Sequence, residues 1–282
     1  MDVQGILGVF VESLKVCAFV GVMMTLIEAL NLESHGSIFR AVRKSRVGQV
    51  GLGAALGIIP GCVGGFAVTS LYNHGLLSFG ALVAMMIASS GDEAFVMLSM
   101  FPRKALCIMG FLLVLAFVVG LFVDRMRINE HQCDDIDISP DEDAEHCHHH
   151  RTFKSFMKES VWHHVVLKHL PRVFAWTFFV LLLITFLGKY VDIEAWISDN
   201  TALMIVLAAL VGIIPESGPH LIFVTLFAQG VLPLPVLLAS CISQDGHSGL
   251  PLLAENKRSF FVGKAINVAV AILIGFVSMW IL

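Results

Sequence analysis

Gly57-Ile58-Ile59-Pro60 recurs as Gly212-Ile213-Ile214-Pro215, at an offset of 155 residues. Carried forward without a gap, the same register pairs Leu71 with Leu226, Gly75 with Gly230, Leu77 with Leu232 and Leu82 with Leu237. It continues through Ala84 with Ala239, Ile87 with Ile242, Gly91 with Gly246 and Arg103 with Arg258. Apolar stretches of biased composition match at several positions by chance. A shared tetrapeptide, two further glycines and a shared arginine in one register are harder to obtain that way, and they mark a duplicated unit.

The material being duplicated is apolar. Of 282 residues, 57% are hydrophobic and 14% charged, where soluble chains carry roughly a quarter charged residues. The mean hydropathy is +0.83, and 21 Phe stand against 2 Tyr. This composition excludes a soluble enzyme, a disulfide-stapled secreted module and a disordered scaffold. A net charge of −4 gives no reason to expect a nucleic-acid partner. The six cysteines form no CxxC and no paired spacing, so no disulfide framework follows. The N-terminus lacks the basic n-region and the cleavage site of a signal peptide, so the first apolar run is expected to be retained.

Apolar runs of roughly 20 residues are needed to cross a bilayer. Candidates are 5–30, 49–73, 76–101, 104–123, 172–191, 201–229, 231–254 and 260–282. The expected fold is an all-α polytopic membrane protein of 8–10 transmembrane segments. Residues 1–123 form its first half (repeat core 49–123), 124–170 a hydrophilic loop and amphipathic lead-in, and 171–282 the second half (repeat core 201–282). A basic cluster at Arg40, Arg43, Lys44 and Arg46 marks a cytoplasmic segment. The expected location is a multi-pass position in a bacterial inner membrane, with homo-oligomers open.

In membrane proteins a duplication of this kind accompanies transporters whose substrate site lies near the midplane, where interrupted helices meet. Pro60 and Pro215 each remove an amide donor and disturb the preceding turn. The glycines that follow (Gly61, Gly64 and Gly65; Gly218 with Pro219) are expected to prevent a clean restart of the helix. Gly57 and Gly212 precede the prolines, and Gly91 and Gly246 mark a second matched pair of breaks. Simple proline kinks are the alternative. Eight plain crossings would leave both halves in one orientation; a re-entrant hairpin or a split crossing in each half gives inversion, the expected arrangement.

Ionisable residues inside apolar runs each cost a few kcal/mol unless paired or hydrated. The first half offers Asp92 and Glu93, the second Glu216, His220, Asp245 and His247. In the repeat register Ser90 meets Asp245, Gly91 meets Gly246 and Asp92 meets His247, so the polar interruptions occupy equivalent places. Carboxylates and hydroxyls suit Mn²⁺ or Mg²⁺, and His and Cys extend the range to Fe²⁺, Co²⁺, Ni²⁺ and Zn²⁺. The expected substrate/metal-binding set is therefore Asp92, Glu93, Glu216, His220, Asp245 and His247. Asp92–His247 or Glu216–His220 could equally be buried structural pairs. The loop between the halves carries nine of the 22 carboxylates between Asp124 and Glu145 and eight of the 12 histidines between His131 and His169. Its His131, Cys133, His146, Cys147, His148, His149 and His150 read as a metal-capturing tract, with a solvated acidic linker as the alternative.

The paired GIIP motifs, Ser89-Ser90-Gly91-Asp92-Glu93, the SQDGHSGLPLLAE stretch at 243–255 and a His-rich loop running into KHLPRVFAWTF at 168–178 resemble one family. It is that of manganese transporters, also described as ten-helix heavy-metal exporters and grouped distantly with organoarsenical permeases. The resemblance covers nearly the whole chain. It implies a metal exporter-like permease and carries over no established residues.

The reading is a secondary transporter, exporting a divalent transition metal such as manganese by alternating access between two repeats, and not an enzyme. No cofactor is required; the metal is the substrate and the bilayer the solvent. With no Walker A or aspartyl-phosphate motif, a proton or sodium gradient or the membrane potential would supply the energy. The alternative is a permease for an organic or oxyanionic substrate held at half-helix N-termini. An intramembrane hydrolase has little footing without HExxH or GxGD.

Overall fold

The computed structural model describes residues 45–126 and 197–281, except 62, 74, 198 and 216, together with single turns within 7–22 and 171–182; the side chains of 63, 247, 251, 254 and 255 also lie outside the description. All its regular elements are helices. They are α1 (Arg46–Gly57), α2 (Val63–Asn73), α3 (Phe79–Ala88), α4 (Glu93–Met100) and α5 (Pro102–Arg125), then α6 (Thr201–Val211), α7 (Leu221–Ala228), α8 (Leu234–Ser243), α9 (Gly249–Glu255) and α10 (Lys257–Ile281). Moving α3 by 155 residues reproduces the bounds of α8, and moving α5 reproduces α10 to within one residue.

The likeness extends to the backbone. Gly75 and Gly230 close the same turn, at φ +70 and +79, each donating its amide three residues back to Tyr72 and Phe227. Gly91 and Gly246 sit in the breaks after α3 and α8 at φ +50 and +57. A side chain is disfavoured in that left-handed region, which is why glycine stands at both positions.

Proline and glycine shape the first half as follows. α1 and α3 run side by side in the same direction: the Gln49 Oε1 accepts from the Ser78 amide at 2.9 Å, Gly53 abuts Ala81, and Gly57 abuts the Met85 carbonyl. After Pro60 the chain turns, and α2 doubles back, with Gly64 against the Leu56 carbonyl and Tyr72 against the Phe79 ring at 6.1 Å. The Gly-rich tail therefore does not hold off the helix: α2 starts at Val63 and contains Gly64 and Gly65, which let it press on neighbouring backbone and on Ser248. Close approach, not chain breaking, is what these glycines supply. The tip of the hairpin is tied to the α3–α4 break, where the Gly61 amide donates to the Gly91 carbonyl at 3.0 Å.

α5 runs back antiparallel to α3. Asp124 accepts from the Ser78 hydroxyl and from the Gly80 amide, both at 2.7 Å, satisfying an otherwise orphaned donor at the start of α3. Composition alone assigns Asp124 to the hydrophilic loop; the structure keeps it in the last turn of α5, because its carboxylate is taken up by α3. Asp124→Ala is expected to lower stability by about 1–3 kcal/mol, the cost of stranding that amide. Thermal unfolding in detergent checks this, and an unchanged midpoint would refute it.

α3 and α4 lie at the centre, with 94% of the residues in an 18-residue window of 79–100 buried, against 33% in the corresponding windows of α5 and α10. α5 buries Ala105, Ile108, Met109, Leu112, Ala116 and Gly120; α10 buries Phe260, Gly263, Lys264, Asn267, Ala271 and Gly275, the same six positions of the repeat. Their other faces expose Leu106, Val114, Val118 and Phe122, or Phe261, Leu273, Val277 and Trp280. Glycines and alanines among the residues facing the bundle, with large apolar ones left outward, are what lipid-facing helices carry, since hydrocarbon gives no drive to hide the latter. The protein is thus an integral, multi-pass membrane protein. Among the described early turns, Phe10 meets Phe174 and Phe178 edge-on at 5.5 and 6.2 Å, which joins the first apolar run to the one after the loop.

Candidate functional site

The two halves meet at their breaks. Gln244 Nε2 donates to the Ser89 carbonyl at 3.4 Å across 155 positions, so residues equivalent in the repeat touch one another. A Cβ built on Gly91 would lie 3.4 Å from the Gly246 Cα and 3.0 Å from the Ser217 Oγ. On one side α9, its lead-in and the start of α10 lie against α2: the Thr69 hydroxyl donates to the Ser248 carbonyl at 3.2 Å, and the Tyr72 hydroxyl is 2.8 Å from that of Ser259. On the other side α7 lies against α4 and α5, with Phe227 edge-on to Phe101 at 5.0 Å and Lys104 5.2 Å above its ring. Tyr72 and Phe227, and Ser259 and Lys104, are again equivalent positions.

Where these breaks converge, the chain buries polar side chains. Glu93, in the first turn of α4, and His220, at the N-cap of α7, have no exposed surface. The His220 Nδ1 is 2.9 Å from the Ser240 hydroxyl and 3.9 Å from the Glu93 Oε1. Among the described residues, neither Glu93 oxygen, nor the His220 Nε2, nor the hydroxyls of Ser90 and Ser217 has a hydrogen-bond partner. Buried polar atoms are nearly always paired. The carboxylate and imidazole among them, drawn from the two halves, make this the candidate site. Carboxylate, imidazole and hydroxyl together make a donor set suited to a divalent transition metal.

A family model described as "putative, 10TM heavy-metal exporter" matches residues 8–178 and 172–282. The chain belongs to this family. Neither the curated proteins nor the solved structures compared with it give a match.

Within this member of the family the residues singled out from sequence separate into groups. Glu93 and His220 come together from opposite halves. Asp92 is buried beside Glu93, at the N-cap position of α4. Glu216 and the side chain of His247 lie outside the described residues, as do His131, Cys133, His146, Cys147, His148, His149 and His150. Among the described residues, no three His, Cys, Asp or Glu side chains stand together as a metal site.

Asp245 is engaged by an ion pair that the sequence reading does not anticipate. Its Oδ1 is 2.5 Å from the Lys264 Nζ, and both side chains are buried. Lys264, in α10, also donates to the carbonyls of Gly212 at 2.6 Å and Ser243 at 3.2 Å. A carboxylate already neutralised by an internal ammonium is a poor ligand for a second cation. The sequence does hold a signal for Lys264: an ionisable residue inside the last apolar run, three positions from Asn267 and on the same helical face. Its nearness to Lys257 and Arg258 makes it read as part of a basic span end.

Proposed function

We propose that this chain exports a divalent transition metal as a secondary transporter, in a fold whose halves are related by inversion, and that Glu93 and His220 take the ion where the breaks meet. The carrying observation is that the Glu93 oxygens and the His220 Nε2 are buried, lack hydrogen-bond partners among the described residues, and come from different halves. A site split between two halves is made or broken by their relative movement, which is what alternating exposure requires. Manganese, a hard-to-borderline ion, matches a set dominated by oxygen with one imidazole. Asp92, Glu216 and His247 are the residues within reach in sequence to complete the shell. Asp245 belongs with Lys264.

Inversion is supported by the pairing of the hairpins. The α1–α2 hairpin returns to the end of the bundle where α3 starts, and α9 lies against it. The α6–α7 hairpin has its α7 arm against α4, which leads to the opposite end of α3–α4. Each half's hairpin thus accompanies the second part of the other half's broken helix, as a two-fold axis in the membrane plane would have it. The organic or oxyanion alternative is less well served: the break leading into α4 presents Asp92 and Glu93, and carboxylates at a helix N-terminus occupy the place where an anion would bind.

Proteoliposomes loaded with a metal-sensitive dye test the reading. Mn²⁺ should enter with the parent chain, organic and oxyanionic solutes should not compete, and His220→Ala should slow flux at least about tenfold, the loss that second-shell changes alone bring to metal sites. Unchanged Mn²⁺ flux in His220→Ala would sink the assignment.

A further inference from the structure

Three oxygens converge on one point in the second half. The Gly212 carbonyl closes α6, the Ser243 carbonyl closes α8, and Asp245 stands in the break that follows. Helix C-terminal ends carry partial negative charge and favour cations. Unwound carbonyls together with the C-terminal ends of half-helices are the groups that hold Na⁺ in transporters with broken helices. In this chain the point where such an ion would sit is filled by the Lys264 Nζ, bonded to all three oxygens at 2.6, 3.2 and 2.5 Å. The first half has no counterpart. At the positions equivalent to Asp245 and Lys264 it carries Ser90 and Met109, so neither the anion nor the ammonium is there.

We propose that Gly212, Ser243 and Asp245 form a monovalent-cation site that the chain occupies with its own side chain, Lys264 acting as a tethered cation that makes this point of the fold independent of external Na⁺. Several features carry the assignment. The ligands are oxygen only, as a hard alkali cation demands. They come from two segments, the end of α6 and the break after α8, which Lys264 of α10 ties together. The ammonium reaches them by burying its whole stem along α10, with Nζ 6.0 Å from the Phe260 ring centroid. A lysine that merely snorkelled would point its ammonium toward the end of the span; this one points it at two helix ends and a carboxylate.

The proposal has a consequence that a structural ion pair does not. If Lys264 stands in for a cation, removing it should return the site to a free one. Methionine is the suitable replacement: Met109 occupies the equivalent place in the first half, and its side chain ends one atom short of Nζ. Lys264→Met therefore keeps the packing and vacates the point between the three oxygens.

The test is thermal unfolding of the purified full-length chain in NaCl against choline chloride at equal ionic strength. The parent should melt at the same temperature in both. Lys264→Met should melt lower in choline and rise by several degrees as Na⁺ replaces choline, saturably, as for any ligand that binds only the folded state. The double variant Lys264→Met/Asp245→Asn, which lacks the carboxylate, should show no Na⁺-specific rise. Failure of Na⁺ to raise the Lys264→Met midpoint overturns the proposal, and so does an equal rise in the double variant, which would put Na⁺ elsewhere. Failure to recover folded Lys264→Met even in high NaCl also overturns it, since Na⁺ would then be no substitute for the ammonium. None of these readouts depends on which metal is exported.

Discussion

Glu93→Gln should abolish metal flux while leaving the protein at least as stable as the parent. The side chain has no exposed surface and, among the described residues, neither oxygen has a donor, so an ionised carboxylate there is disfavoured by desolvation until a cation arrives. An amide of the same shape removes that cost together with the attraction for the ion. Changes one shell out from a metal already lower affinity 10–100-fold, so loss of a ligand should reduce flux by about two orders of magnitude or more. Flux and melting temperature measured on one preparation separate the outcomes. Transport at the parental rate means Glu93 is not a ligand. Collapse of stability together with flux means that it is a structural residue whose partner lies outside the described segments.

Lys264→Met should be the most destabilising single change described here, provided no Na⁺ is present. It leaves Asp245 buried opposite two helix ends of its own sign. Breaking a buried pair by deleting one member costs about 3–5 kcal/mol, mostly the penalty of the stranded charge. Asp245→Asn should be costly too, because it strands the ammonium. The double variant should recover most of the loss, since replacing both charges in a buried pair is often close to neutral. The double-mutant cycle checks this: a coupling near zero would mean that the two residues are not energetically a pair.

How far the sequence foretells all this depends on which link carries the information. The offset of 155 is a backbone property, written in glycines and prolines whose conformational demands are local, and every described helix of the first half has its partner at that spacing. The breaks at Gly91 and Gly246 are legible for the same reason: positive φ selects glycine wherever the chain turns that way. The direction of the chain after Pro60 is not. A proline followed by glycines is compatible with a kink, a split crossing or a hairpin, and what decides is that Gly64 and Gly65 allow α2 to lie against Leu56 and Ser248. Side-chain pairing is harder still. Glu93 and His220 stand far apart in sequence and at non-equivalent repeat positions, so neither spacing nor register joins them. The register instead puts Asp92 opposite His247, and Asp245 opposite a serine, with nothing in it to indicate that a lysine on another helix neutralises Asp245.

The two halves share a backbone plan but not a charge plan, and that difference bears on direction. A carrier assembled from two interchangeable halves would be energetically indifferent to which face of the membrane it opens toward; its resting position would be set by the gradients alone. Here one half carries a locked charge pair binding three of its segments together, and the other has a serine and a methionine in the same places. A half tied at that point should resist rearrangement there more than one that is not. If the halves exchange conformations as proposed, the two end states differ in intrinsic energy even with equal solutions on both sides. A preferred resting orientation would then be written into the protein itself, as a valve spring is, and it would persist in a vesicle without any gradient.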